Sequence, residues 1–444
     1  AWKGCPPSDL TTHKMILTYC AVCATDLGLT RGKKCGRCST RYCGAACQVQ
    51  HWQERGHDQL CKKIKRAGGA EQYYANNKYS EAVAVAAEAC AEDTKGQTCY
   101  ICTQALHWKT KEGLVRGCSC RGTAGFAHVS CLAEEAKILW DEAEENNLDG
   151  KALQERWNRW RACSLCEQHY HGVVSCALGW ACWKTYVGRP ETAVARRLAM
   201  ENLGSGLSAA GHNGDALSVR EAEFSMRRRI GESEGSMLAV QGNLAGAYEA
   251  LGRLEEVLSM RRDVYSGWLR LKGEEHETTL LEASNLACSL DRLERFEEAR
   301  SLLRKTMPVA RRVLGESDST TLRMRWNYAV ALYRDPDASL DDIREAVETI
   351  EEAERAARRV LGGGHPTAMG MEQSLRHARA VLSDRAKKEK LMEELDVTAE
   401  VFDKVARFAT KTHRVSVLGT TVEATYGDLE STRKALEALP PGDA

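Results

Sequence analysis

Nearly all the residues able to do chemistry in this chain are cysteines, and they come in pairs. Cys20 and Cys23 are followed by Cys35 and Cys38, then Cys43 and Cys47, then His57 and Cys61. Eight soft or borderline donors in four close pairs suit two tetrahedral Zn²⁺ sites. One short pair fills half a tetrahedron and must borrow a distant pair for the rest. The scheme recurs in Cys99 and Cys102, Cys118 and Cys120, His128 and Cys131, and Cys163 and Cys166, which implies two more ions. Zinc is therefore the expected cofactor, at four ions per chain. Of 19 cysteines, 18 precede residue 183 and Cys288 stands alone after it. Thiolate ligands require a reducing compartment, so the expected location is cytoplasmic or nuclear.

Five cysteines are left over. Cys90 has no paired neighbour and reads as a packed thiol, while Cys5 and Cys288 stand apart. Cys176 and Cys182 lie near His169 and His171, but their spacing fits a packed aromatic helix better than a third metal site. No cysteine has the histidine and orienting partner that a catalytic thiol needs, and no catalytic residue is assigned.

Positioning these pairs falls to a chain of 444 residues, enough for two or three domains. Lys and Arg total 62, as do Asp and Glu, so the net charge gives no reason to expect nucleic acid or an acidic membrane as partner. Fourteen thiolates and four Zn²⁺ would shift the balance to about −6. Residues 1–66 are locally basic, with 12 Lys and Arg against 4 Asp and Glu, and this reads as a solvated face. The most apolar stretch, 173–187, is too short for a membrane span and carries Lys184. The sequence starts at Ala1, and a preceding segment is left open. Residues 71–92 are Ala-rich and read as a helical spacer.

From about residue 175 the chain is Ala-, Leu-, Glu- and Arg-rich and repeats itself. Asn243-Leu244-Ala245 recurs as Asn285-Leu286-Ala287 and as Asn327-Tyr328-Ala329, each step 42 residues, with Asn202-Leu203-Gly204 placed 41 before the first. Gly231-Glu232, Gly273-Glu274 and Gly315-Glu316 keep the same period. Such a period means stacked helix pairs, each unable to bury its apolar face alone. Beyond residue 382 the signature stops: 384–395 reads as a charged helix, and 414–424 has β character. The tail ends in Pro440-Pro441-Gly442 and has no assigned function.

Three resemblances follow. Cys20 to Cys61, with Tyr42-Cys43 and the run Cys47-Gln48-Val49-Gln50-His51-Trp52, resembles a MYND-type zinc finger. That family's interleaving implies one zinc on Cys20, Cys23, Cys43 and Cys47, and another on Cys35, Cys38, His57 and Cys61, with His51 the lesser candidate beside His57. MYND fingers bind proline-containing peptides, so Gln48 and Trp52 are candidate peptide contacts, against a packing role around the metals. In the second module the order of four cysteines, one histidine and three cysteines fits both PHD and RING-CH fingers. The tight Cys118-Ser119-Cys120 and the phrase Arg121-Gly122-Thr123-Ala124-Gly125 resemble RING-CH. That resemblance implies Cys99, Cys102, His128 and Cys131 on one zinc, and Cys118, Cys120, Cys163 and Cys166 on the other. Ile101 then matches the apolar residue that RING fingers press against a ubiquitin-conjugating enzyme. The stretch 132–162 is longer than such fingers usually show, and reads as two amphipathic helices, 133–145 and 151–161, about the turn at 146–150. The repeats resemble tetratricopeptide repeats of the kinesin-light-chain kind. In that family the opening Asn can face a peptide groove, so Asn202, Asn243, Asn285 and Asn327 are candidate peptide contacts, against a role in a helix-start or inter-repeat hydrogen bond.

The expected fold is mainly α: two small zinc-stabilised cross-brace modules followed by an α-solenoid of helix pairs. The expected layout is an extension at 1–19, the MYND-type finger at 20–61, a helical linker at 62–98, and the RING-CH-type finger at 99–172 with its insertion at 132–162. A connecting helix at 173–194, repeats at 195–382 and a tail at 383–444 complete it. The expected function is that of a zinc-binding protein that positions a ubiquitin-charged conjugating enzyme and recruits substrates through its other modules, as a RING-type E3 ubiquitin ligase. The alternative is a non-enzymatic adaptor for peptide or protein ligands. Lysine methyltransfer by a SET domain is excluded, because no Asn-His dipeptide and no strand-rich segment of sufficient length is present.

Overall fold

In the computed structural model, residues 20–23, 25, 27, 31–406, 413–417 and 420–424 are described. The expectations on 1–19, Cys5 among them, and on Pro440-Pro441-Gly442 lie outside these. The chain divides into two compact units, Ala1–Leu271 and Lys272–Ala444.

The first unit begins with a module too poor in apolar residues to hold long elements. Strands β1 (Lys33–Lys34) and β2 (Arg41–Tyr42) pair antiparallel with Lys33 opposite Tyr42. Helix α1 (Ala45–Glu54) and helix α2 (His57–Arg66) follow. Among the described residues, the buried apolar core here, besides the cysteines, is Leu27, Tyr42, Ile64 and Ala70. Helix α2 buries His57, Cys61 and Ile64, one stripe at helical spacing, so a single face carries both the ligands and the packing.

Helix α3 (Ala70–Ala89), expected as a spacer, is part of a core. Its Ala75, Tyr79, Val83 and Ala86 line one face and join the cluster that also holds the second finger. Alanines at the contact let this helix approach closely, which a weak hydrophobic stripe in sequence does not reveal. The second finger has almost no regular structure before helix α4 (Val129–Glu145), which is followed by α5 (Gly150–Trp157) and a 3-10 turn (Asn158–Trp160). The insertion is thus helical as expected, although α4 starts four residues earlier than 133.

Helix α6 (Gly172–Tyr186) contains most of the apolar stretch 173–187 and buries residues on all sides, as a central core helix must. It lies against α7 (Val194–Ala209) at very short range. A Cβ on Gly206 would sit 2.6 Å from the Ser175 carbonyl oxygen, so only glycine permits this crossing. Helices α8 (Asn213–Ile230), α9 (Glu234–Ala250) and α10 (Leu254–Lys272) continue the helix pairs. One buried cluster runs from Ala75 on α3, through the second finger and α6, to Met226 on α8.

The second unit holds α11 (Glu277–Arg292), α12 (Phe296–Leu314), α13 (Ser319–Tyr333), α14 (Leu340–Leu361) and α15 (Pro366–Ala406). A hairpin of β3 (His413–Val417) and β4 (Thr420–Ala424) follows, where the sequence has β character. Helix starts are set by side-chain caps: Asp318 accepts from Thr320 and Thr321 amides, and Ser339 forms a capping box with Asp342. The periodic glycines follow the second helix of each pair in the left-handed region, Gly315 at φ 94° among them, which is why that landmark recurs.

Candidate metal centres and exposed finger surfaces

Three of the Cys-x2-Cys pairs are held by the same backbone loop. In the first finger the Cys35 amide donates to the Thr40 carbonyl at 2.8 Å and the Ser39 amide to Cys35 at 2.9 Å. In the second, Cys99 donates to Gln104 at 3.0 Å and Thr103 to Cys99 at 2.8 Å, and Cys163 donates to Gln168 and Glu167 to Cys163, both at 3.0 Å. Ser39, Thr103 and Glu167, each just after the second cysteine, sit at φ 60°, 61° and 58°. The turn points two sulfurs to one side and turns amides toward them: Ile101 N donates to Cys99 Sγ and Leu165 N to Cys163 Sγ, both at 3.4 Å.

The structure brings the pairs together in four groups whose ligand atoms lie within 4.8 Å of one another. They are Cys20, Cys23, Cys43 and Cys47; Cys35, Cys38, His57 and Cys61; Cys99, Cys102, His128 and Cys131; and Cys118, Cys120, Cys163 and Cys166. A Zn–S bond of about 2.3 Å sets tetrahedral sulfurs about 3.8 Å apart. Here Cys23, Cys43 and Cys47 are separated by 3.4–3.7 Å, Cys35 and Cys61 by 3.9 Å, and Cys120 and Cys163 by 3.7 Å. The imidazoles fit too. His57 turns Nε2 to Cys38 Sγ at 3.4 Å, whereas His128 turns Nδ1 to Cys102 and Cys131 at 3.3 and 3.6 Å. His128 Nε2 donates to the Ala105 carbonyl at 3.3 Å, which leaves the Nδ1 lone pair for a metal. Four groups of this chemistry could each bind a zinc ion.

Charge within the quartets argues the same way. The Thr25 hydroxyl pulls the Cys23 thiol down to about 6, and the Cys118 thiol pulls Cys163 down to about 4. Burial pushes Cys61 up to about 12. Packed thiols cannot all ionise side by side, and a bound dication removes that conflict.

His51 stays outside the ligand groups: it is buried with Nδ1 2.9 Å from the Tyr42 hydroxyl. Trp52 is 42% exposed and stands edge-on to His57 at 5.7 Å, so it packs on a ligand while remaining open. Gln48 is half-buried on the same helix, and exposed Val49 joins them there, a residue the sequence reading passed over.

The four asparagines part company. Asn202 is buried, accepts from Arg161 Nε at 2.8 Å and donates to the Trp160 carbonyl at 3.4 Å. In this structure it ties the second finger to α7 and is closed to a peptide, which corrects the sequence expectation for this residue. Asn327 donates to the Ser284 carbonyl at 3.1 Å, a bond between neighbouring repeats. Asn243 and Asn285 are half-buried and make no side-chain hydrogen bond to another described residue.

The face of the second finger that carries Ile101 is more open than the long insertion suggests. Ile101 is 39% exposed and Leu165, on the other zinc loop, 52%. Tyr100 fixes the two loops together, its hydroxyl 3.0 Å from Ser164 Oγ. The insertion turns its three tryptophans to the core: Trp140, Trp157 and Trp160 are buried, Trp157 and Trp160 meet Tyr186 of α6, and Trp140 packs on Trp157.

Comparison with known proteins divides the chain by region. Residues 20–61 match the MYND finger, residues 99–166 the RING-variant domain, and residues 236–312 the tetratricopeptide repeat. Three protein-interaction families meet in one chain. No curated protein matches it. Among solved structures it is similar to a Podosopora anserina kinesin light chain with nearly identical TPR-like repeats, solved both unaltered and as a point variant. Both are 20% identical over 52% of this chain and 97% of theirs, with TM-scores of 0.32 for the unaltered form and 0.33 for the variant. It is also similar to BtubC (BKLC) from P. vanneervenii, 14% identical over 65% of this chain and 95% of that one, TM-score 0.33. The chain is thus a zinc-binding protein-interaction protein, and no described helix is long and apolar enough to cross a membrane.

Proposed function

We propose that the chain is a RING-type E3 ubiquitin ligase of the cytoplasm or nucleus. Its second finger holds a ubiquitin-charged conjugating enzyme against Ile101 and Leu165, and substrates are recruited by the MYND-type finger and the repeats. The four ligand groups bind structural zinc, each with four protein donors and no open position for chemistry. Catalysis is then by positioning: the finger orients a thioester so that a lysine amine can attack it. Peptide contacts fall to Gln48 and Trp52 on the first finger and to Asn243, Asn285 and Asn327 on the repeats.

One observation supports this reading above the rest. The insertion at 132–162 leaves Ile101 and Leu165 exposed, because its three tryptophans are spent on the core around Tyr186. The test is discharge of a panel of ubiquitin-loaded conjugating enzymes onto free lysine, with zinc-replete protein against Ile101→Ala. Acceleration by wild type that falls about tenfold or more in the variant is the expected result, since a buried apolar anchor carries much of a docking energy. No acceleration across the panel, with four zinc ions confirmed per chain, would leave the adaptor reading.

A further inference from the structure

Residues 107–112 repeat the loop of the zinc-binding pairs without a metal-binding pair in it. The His107 amide donates to the Glu112 carbonyl at 3.0 Å and the Lys111 amide to His107 at 2.9 Å, the pattern of Cys35, Cys99 and Cys163. Lys111 sits at φ 59°, where those loops have Ser39, Thr103 and Glu167. In the two ligand positions stand His107 and Thr110. Here a hydrogen bond takes the place of the metal: His107 Nδ1 lies 2.8 Å from Thr110 Oγ1 and accepts from the Thr110 amide at 3.1 Å. His107 is buried, with its ring 5.3 Å from that of the ligand His128.

This loop lifts Trp108 out of the protein. At 68% it is the most exposed large apolar side chain among the described residues. With exposed Ile101 and Ile138 beside it the indole makes a contiguous apolar patch, and such patches mark contact sites. Trp108 shares a groove of about 460 Å³ with Ile101, Ile138 and Leu139, rimmed by Glu134 and Glu135. Glu135 accepts from the Tyr100 hydroxyl at 3.4 Å, but Glu134 is exposed and has no ion pair with another described residue.

We propose that the metal-free knuckle is a specificity element, holding Trp108 as a second anchor beside Ile101 for a conjugating enzyme whose docking surface sets a lysine or arginine next to an apolar side chain. The indole packs on that apolar side chain, and Glu134 meets the cation. His107 and Thr110 position the indole and do not touch the partner. The inference rests on the ligase reading, and it selects among conjugating enzymes where Ile101 serves all of them.

The experiment measures discharge against conjugating-enzyme concentration for each active panel member, using the full chain as wild type, Trp108→Ala, Thr110→Ala, Thr110→Ser and Glu134→Lys. Zinc is counted for every variant. For a subset of the panel, Trp108→Ala is expected to raise the half-saturating concentration about tenfold while the maximal rate stays within about twofold. Thr110→Ala is expected to follow it in part, and Thr110→Ser to restore wild-type behaviour by returning the hydroxyl to His107. Glu134→Lys is expected to raise half-saturation for the same subset and to flatten its salt dependence. If Ile101→Ala abolishes discharge while Trp108→Ala leaves half-saturation unchanged for every enzyme, the inference is overturned and the ligase reading stands. If no enzyme responds to wild type, both fall.

Discussion

Gly125 shows how tightly one residue can be bound to a metal site it does not ligate. Its φ is +83°, and a Cβ there would sit 2.6 Å from Cys120 Cβ and 2.9 Å from Cys120 Sγ. Gly125→Ala is therefore expected to lower the zinc content from four ions to three per chain, leaving the other quartets filled, as measured by elemental analysis. A variant that keeps all four ions and its melting temperature would show that the loop can shift at no cost. The ligand residues themselves were legible from spacing, because short pairs of cysteines have few other uses. Asn202 was not. Its repeat position is shared with Asn243 and Asn285, and only the arrival of Arg161 and Trp160 from the second finger closes it off. His107 and Thr110 were equally hidden, since a hydrogen bond leaves no ligand spacing to read.

Among the elements, α4 depends on a neighbour for its first turn. Its N-cap position is His128, whose side chain is turned toward the thiols and makes no cap. The cap comes instead from Glu112, which accepts from the Ser130 amide at 2.6 Å and the Ser130 hydroxyl at 2.9 Å. Glu112→Ala is expected to cost about 1–2 kcal/mol in chemical denaturation, the usual loss when helix-end donors go unpaired. An unchanged midpoint and slope would rule that cap out as a stabiliser. At the other end of the insertion, Trp157 is fully buried with its ring 4.7 Å from Trp140. Trp157→Ala should cost about 3–5 kcal/mol by leaving a cavity, and should loosen α4 from α6. A loss under about 1 kcal/mol would mean the site collapses around the gap. The two helices of the insertion were readable from their periodicity and the Asn-Gly-rich turn. Which face each would bury was not, because the tryptophans on α4, at the end of α5 and in the turn after it choose their side only when α6 is present.

Within the first unit, modules that looked separate in sequence are joined. Arg161, two residues before the ligand Cys163, reaches Glu201 on α7 at 2.7 Å; Arg227 bonds Glu223 at 2.7 Å, and Arg220 bonds Glu223 at 3.0 Å. Glu223 is fully buried, so these charges are held in place by each other and are costly to separate. The second finger, α7 and α8 therefore share a polar network, and together with α3 and α6 they share an apolar core. A fragment of residues 99–166 is expected to lack cooperative thermal unfolding even with zinc, whereas residues 70–230 should melt in one transition. Equal cooperativity in both would show that the finger is self-sufficient. For the same reason, stripping zinc should reduce helical signal from α6–α8 as well as from the fingers, while the unit Lys272–Ala444, which contains no ligand group among its described residues, keeps its helices. Circular dichroism with a chelator decides this, and full retention of helicity would contradict it. Metal chemistry, helix period and mainly α character were determined by the sequence alone, because ligand spacing and a recurring 42-residue phrase are local or periodic signals. Only the tertiary structure decided that the spacer is core, that Asn202 is spent on the second finger and that Trp108 stands beside Ile101. The first two depend on side chains far apart in sequence meeting at one place, and the third on a loop closed by hydrogen bonds between His107 and residues 110–112, and no spacing rule carries that information.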